Sequence, residues 1–203
     1  MTYIAILGGY GLTGRLLARH LLEQTDVDIV LIGRHPDKAQ PFVDSLNAEF
    51  AERRVSIRRA DAATSAELGR ALSGADFLVV AAPTTQHAGT VIHAALDAGI
   101  DYLDVQLDAN KLALLQSLAP EIERAGRCFI TEAGFHPGLP AAMVRYAAAH
   151  MDVLHTAAVA GYLNMGRALP YSEAVDELME VFRHYQGQVY EDGRWTQPSA
   201  YKT

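Results

Sequence analysis

The sequence predicts an α/β protein: a doubly wound parallel sheet with helices on both faces, followed by the start of a smaller α+β domain. Three observations predict it. An apolar run, Tyr3–Leu7, ends in the cluster Gly8-Gly9-Tyr10-Gly11-Leu12-Thr13-Gly14, and an amphipathic segment starts at once. That is a strand, a tight turn and a helix. Strand-like and helix-like segments then alternate through Thr131 without a linker or low-complexity tract, which implies a parallel sheet covered on both faces. The run Phe77–Ala81 is continuously apolar, as expected of a parallel strand buried on both sides.

The elements follow in order. Strand one is Tyr3–Leu7 and helix one Leu12–Gln24. Strand two, Asp28–Ile32, ends at Gly33-Arg34, and His35-Pro36-Asp37 starts a helix to about Ala51 with Phe42, Val43, Leu46 and Phe50 on one face. Strand three is Val55–Arg59. Thr64 is placed to cap the next helix, with Glu67 at capping-box spacing. After strand four, Phe77–Ala81, Pro83-Thr84-Thr85 is a loop, and Gln86–Ala98 is a helix closed by Gly99. Strand five is Tyr102–Val105, a helix runs Asp108–Ala125 and stops at Gly126, and strand six is Cys128–Thr131.

The texture changes after Thr131. Ala133 to Pro140 is a loop rich in glycine and proline, leading into a helix, Ala141–His150. The alternating run His155–Tyr162 reads as a strand. Ser172 starts a helix through about His184 with Val175, Leu178, Met179 and Phe182 on one face. Gln188–Tyr190 and Arg194–Thr196 flank Asp192-Gly193 and read as a hairpin. The expected organisation is a dinucleotide-binding domain over residues 1–133 and a partial substrate or dimerisation domain over 134–203. The chain stops soon after its hairpin, so a truncated second domain is expected.

Charge and composition narrow the partners. A net charge of −7 argues against nucleic acid and anionic membranes. No apolar run approaches a membrane span, and the N-terminal apolar run lacks the basic flank of a secretion signal. The single Cys128 cannot form an intrachain disulfide, which fits a reducing, cytoplasmic setting.

Gly9, Gly11 and Gly14 fit G-x-G-x-x-G in the strand–turn–helix context that the motif requires. The pattern marks the Rossmann-type fold. Gly9 is expected to allow the sharp turn, Gly11 to let the backbone approach a pyrophosphate, and Gly14 to let helix and strand pack closely. The phosphates then lie against the N–H groups at the helix start, so Tyr10, Leu12 and Thr13 join the glycines as cofactor-binding candidates. An NAD site places an acid about twenty residues on, at the ribose 2′-hydroxyl. This chain has Gly33-Arg34 there, with His35 and Lys38 close by. A guanidinium pairs with a 2′-phosphate, so NADP is expected over NAD. Asp61, after strand three, is the candidate for the adenine amino group. Ala81, Ala82 and Pro83 let a cofactor lie against the sheet edge, and Thr84 and Thr85 are candidates for phosphate or ribose, or for capping the next helix. Asp104 and Gln106 lie around the end of strand five, and His136 in the loop after strand six. Asp104 and His136 are the candidate catalytic residues, His136 as an acid or base near neutral pH.

Together these pieces resemble the saccharopine dehydrogenase family. The resemblance rests on Gly8 to Gly14, Ala81-Ala82-Pro83, Ala98-Gly99-Ile100-Asp101-Tyr102-Leu103-Asp104 and Gly134-Phe135-His136-Pro137-Gly138-Leu139-Pro140. It implies a nicotinamide-dependent oxidoreductase acting on a small-molecule C=N, C=O or C=C bond. It also implies a second α+β domain with an extended sheet and a return of the chain to the first domain, which this sequence lacks. A homodimer and slow or absent turnover are therefore expected of these 203 residues. Two other readings stand beside it. One is a redox-sensing module that binds NADP without turnover. The other is an atypical short-chain reductase, weakened because no tyrosine has a lysine four residues on.

Overall fold

The computed structural model describes residues 2–50, 54–135, 138–160, 189–191 and 194–196. The chain divides into two compact units, Met1–Ala160 and Gly161–Thr203.

The first unit holds a six-stranded sheet in the order β3-β2-β1-β4-β5-β6. Its strands are β1 Tyr3–Leu7, β2 Asp28–Gly33, β3 Val55–Arg59, β4 Phe77–Val80, β5 Asp101–Asp104 and β6 Phe129–Ile130. Every neighbouring pair is parallel. The order reverses between β1 and β4, as in a Rossmann-type doubly wound sheet, and ligands bind at the carboxyl ends of the strands at that switch.

Alternation along each strand sorts the core into two layers. Ala5, Leu7, Val30, Ile32, Leu78 and Val80 face the cluster built with α3 (Ser65–Leu72), α4 (Ala88–Asp97) and α5 (Ala109–Arg124). Ile6, Ile29, Leu31 and Val79 face the cluster built with Ala18 and Leu22 of α1 (Leu12–Gln24) and Val43 and Leu46 of α2 (Pro36–Glu49). Burial on both faces is why these strands carry apolar runs rather than a period-two pattern. The expected α2 face is present, with Phe42 and Phe50 packed at its margin.

Helix ends follow local chemistry. Gly99 and Gly126 both adopt φ +66°. At the end of α5, Arg127 N–H donates to the Ile122 carbonyl (3.1 Å) and Gly126 N–H to that of Glu123 (2.9 Å), the paired bonds of a Schellman stop. Asp108 caps α5 through its carboxylate, which accepts from Lys111 N–H at 2.7 Å. The capping box expected of Thr64 and Glu67 does not form. The Glu67 carboxylate instead accepts from Asp61 N–H at 2.9 Å and from the Arg59 guanidinium at 2.8 Å. A charged donor on the neighbouring strand outcompetes the neutral cap.

Two further expectations need correction. The helix after β6, α6, runs Gly138–Ala148 and so starts before Ala141. Pro140 lies in its first turn, where a missing N–H loses no helical bond. The run expected as a strand from His155 has no regular structure over residues 155–160, and all of these are exposed. Alternation makes a strand only where an edge pairs with it and a core takes one face.

In the second unit, β7 (Val189–Glu191) and β8 (Arg194–Thr196) pair antiparallel, with Tyr190 opposite Trp195. The expected Asp192-Gly193 turn and the expected helix Ser172–His184 lie outside the described residues.

Candidate functional site

The glycine turn closes on itself at the end of β1. Gly8 N–H donates to the Ile32 carbonyl at 2.8 Å, Gly9 N–H to that of Ile6 at 3.1 Å and Gly11 N–H to that of Gly8 at 2.9 Å. The left-handed residue is Gly8, at φ +79°, so the sharp turn belongs to Gly8 and not to Gly9. Gly9 is required for a different reason: a Cβ there would lie 2.6 Å from Leu31 Cδ2 and 2.9 Å from the Ile6 carbonyl oxygen. At Gly14 a Cβ would strike the Gly8 carbonyl and stand 2.6 Å from Gly9 Cα, which is the close helix–strand packing expected of it.

Gly11 differs from both. It is exposed and caps α1 with φ −71° and ψ 176°, a conformation open to any residue. A Cβ on it would meet only the Gly8 carbonyl oxygen, at 3.2 Å. Leu12 and Thr13 beside it are exposed, no side chain caps the helix start, and its first turn carries no acid. The helix therefore presents unpaired N–H groups and the positive end of its dipole to whatever lies above the turn. These are the features that a pyrophosphate requires.

Tyr10 ties this turn to the next loop. Its hydroxyl accepts from His35 N–H at 2.9 Å. Its ring lies so close to Gly33 that a Cβ there would stand 2.5 Å from it. Arg15 Nε donates to the Tyr10 carbonyl at 2.8 Å, and the Arg15 guanidinium stacks over Phe42 at 4.7 Å. The loop after β2 is thus pinned beside the glycine turn. Arg34 and His35 lie in it, both exposed, and the Arg34 guanidinium makes no hydrogen bond or ion pair among the described residues. Sequence reasoning placed Tyr10 at the cofactor but missed this bracing contact; its signal was an aromatic residue between the glycines.

Asp61 follows β3 at the same end of the sheet and is partly buried. Its Oδ1 accepts from Ala63 N–H at 3.0 Å. Nearby, the Arg59 guanidinium and then the Asp61 N–H hold the Glu67 carboxyl below its ordinary pKa. Across the switch point, Ala82 stands against Gly8, since a Cβ on Gly8 would lie 2.6 Å from Ala82 Cβ. Ala81 N–H donates to the Leu7 carbonyl at 2.9 Å, and Pro83 is exposed. The small residues expected here are what the close approach of the chain just past the ends of β1 and β4 leaves room for.

Asp104 is fully buried at the end of β5. Its carboxylate accepts from Tyr102 Oη (2.8 Å), Thr131 Oγ1 (2.9 Å), Gln106 N–H (3.1 Å), Glu132 N–H (3.3 Å) and Lys111 Nζ (2.5 Å). Lys111 is also buried and donates as well to the Gln106 carbonyl at 2.6 Å. Burial, and then the adjacent carboxylate, push the Tyr102 hydroxyl pKa upward. Lys111 went unnoticed in the sequence, because a salt bridge between a strand end and the next helix follows no periodicity. His136, the other expected catalytic residue, lies outside the described residues.

The loop after β6 is held by this network. Glu132 adopts φ +58°, unusual for a residue with a Cβ and worth roughly 1–3 kcal/mol of strain. Ala133 N–H donates to the Asp104 carbonyl at 2.9 Å. A Cβ on Gly134 would lie 2.5 Å from the Val105 carbonyl oxygen, and one on Gly138 2.5 Å from that of Glu132.

Comparison with known proteins agrees with this fold. Residues 4–128 fit the family model of the saccharopine dehydrogenase NADP binding domain, more than half of the chain. The chain belongs to this family. NADP is accordingly the cofactor of the domain, and the open glycine turn fits its pyrophosphate. No curated protein matches the chain. Among solved structures, saccharopine dehydrogenase (L-Glu forming) from Saccharomyces cerevisiae is similar at 20% identity and TM-score 0.59, over 74% of this chain and 32% of that one. Pen from Bacillus thuringiensis is similar at 15% identity and TM-score 0.53, over 64% and 48%. At such identities the likeness is one of fold. The chain spans about a third of the yeast enzyme's length and about half of the Bacillus protein's. No helix among the described residues is long and apolar enough to cross a membrane.

Proposed function

We propose that this chain is the NADP-binding part of an oxidoreductase that moves a hydride to or from a C=N, C=O or C=C bond of a small molecule. The observation that carries the reading is the exposed, uncapped start of α1 at Gly11, braced by Tyr10 against the loop that bears Arg34. In this reading the unpaired N–H groups at Leu12 and Thr13 hold the pyrophosphate above Gly11, and Arg34, with His35 beside it, pairs with the 2′-phosphate. Asp61 borders the adenine. Ala81, Ala82 and Pro83 floor the crevice for the other half. When bound, NADPH supplies the hydride from the nicotinamide ring.

Asp104 takes a positioning role in this reading rather than a proton-transfer one. Its carboxylate is enclosed and already accepts five hydrogen bonds, so it has neither access to a substrate nor a spare acceptor site. His136 stays the candidate acid or base. The reading also includes a substrate and dimer domain beginning near residue 134, a homodimer and a cytoplasmic location.

The test is the 2′-phosphate preference. A charge-assisted hydrogen bond is worth roughly 1.5–3 kcal/mol, so Arg34→Ala should weaken NADPH binding about tenfold to a hundredfold. NADH affinity should barely move. Equal affinity of the wild type for both cofactors would overturn the role given to Arg34. A sensor module and an enzyme separate in a substrate screen with this protein, because only the enzyme oxidises NADPH.

A further inference from the structure

We propose that Glu132 is a ligand-facing residue of the nicotinamide half of the cofactor site, its carboxylate accepting a hydrogen bond from a ribose hydroxyl or the carboxamide of that half. The inference rests on the NADP reading above. Position is the first support. The β1-β2-β3 half of such a sheet takes one mononucleotide and the β4-β5-β6 half the other. Arg34 and Asp61 lie at the ends of β2 and β3, while Glu132 lies two residues past the end of β6.

Strain is the second. Glycine would hold φ +58° freely, yet here a charged side chain is kept in that conformation. The surroundings over-determine it. Glu132 N–H donates to the buried Asp104 carboxylate, the next N–H donates to the Asp104 carbonyl, and the start of α6 packs on the Glu132 carbonyl. The Lys111–Asp104 pair fixes the far side of the clamp. A buried ion pair of this kind is weak as a source of stability, but it sets backbone geometry.

Availability is the third. The carboxylates of Asp104, Asp108, Glu67 and Asp61 all accept hydrogen bonds within the fold. Glu132 is a partly exposed residue, and its carboxylate makes no hydrogen bond or ion pair among the described residues. A strained, clamped backbone carrying an uncommitted carboxylate is the arrangement expected of a group kept for a ligand.

The experiment compares E132G and E132Q with the wild type in two titrations, one with NADPH and one with adenosine 2′,5′-bisphosphate, which lacks the nicotinamide half. E132G removes both the strain and the carboxylate. The relief of strain opposes the entropy of an added glycine, so the melting temperature should stay within about 3 °C. NADPH binding should weaken about tenfold, the loss of one charge-assisted hydrogen bond, with bisphosphate binding unchanged. E132Q keeps an acceptor and should fall between. Repeating E132G with the acetylpyridine analogue of NADPH identifies the donor. A deficit that persists points to the ribose and one that vanishes to the carboxamide, and either supports the assignment. If E132G binds NADPH as the wild type does, the assignment is overturned. If the wild type binds neither nucleotide, the cofactor reading falls and this inference with it.

Discussion

Lys111→Ala should lower the stability of the first unit by roughly 3–5 kcal/mol, the usual effect of removing one partner from a buried ion pair. Lys111 and Asp104 are both sealed from solvent, with side-chain exposures of 1% and 0%. The substitution leaves the Asp104 carboxylate charged, buried and without its cation, and it strips the Gln106 carbonyl of its Nζ donor. The remaining donors to Asp104 are two hydroxyls and two backbone N–H groups, which cannot neutralise it. Against a typical domain stability of about 5–15 kcal/mol this is a large fraction, and the melting temperature should fall on the order of 10 °C. Pairing Lys111→Met with Asp104→Asn should recover part of the loss, because the charge and not the vacated space dominates it. Urea unfolding of the single and double variants is the check. A loss under about 1 kcal/mol in Lys111→Ala would mean that the pair is unimportant to the fold.

Gly14→Ala should also destabilise, against the direction that helix propensity gives. Alanine is preferred to glycine inside a helix by about 1 kcal/mol. Here the new methyl would meet the Gly8 carbonyl and stand 2.8 Å from the Gly9 carbonyl carbon, both of them backbone. No rotamer relieves such a contact, so α1 must move off the end of β1, at a cost of typically 1–3 kcal/mol. That movement would also separate the first-turn N–H groups from the glycine turn, and NADPH binding should go with it. A Gly14→Ala protein at least as stable as the wild type, measured by thermal and urea unfolding, would contradict the close packing of α1 on this turn.

How much was legible in the sequence depended on the kind of signal. The central strands β1, β2 and β4 were readable because burial on both faces leaves apolar runs, as in Phe77–Val80. Gly99 and Gly126 were readable as helix stops because their positive φ favours glycine. The cofactor was legible in the glycine turn and in Arg34 standing where an acid would, and the family resemblance agreed with it. What stayed hidden were contacts between residues with no periodic relation. Lys111 reaches back across the β5–α5 connection to Asp104, and Tyr10 Oη reaches the N–H of His35. Glu132 carries strain that only dihedral angles reveal. Within the glycine motif the sharp turn was assigned to Gly9, whereas Gly8, outside the three-glycine pattern, has the positive φ. The run after His155 misled because alternation specifies a strand only when a partner and a core are present.

The glycine turn itself offers the most direct measurement. At Gly11 the backbone is extended and a Cβ would meet only the Gly8 carbonyl oxygen, at 3.2 Å, so a valine there asks for a small local shift and not for a rearrangement of the fold. Its branched side chain would stand where the pyrophosphate must approach the first turn of α1. Wild type and Gly11→Val should therefore unfold at closely similar temperatures, and NADPH fluorescence should titrate to saturation with the wild type and show no binding with the variant. Matching titration curves for the two proteins, both folded, would contradict cofactor binding at this turn.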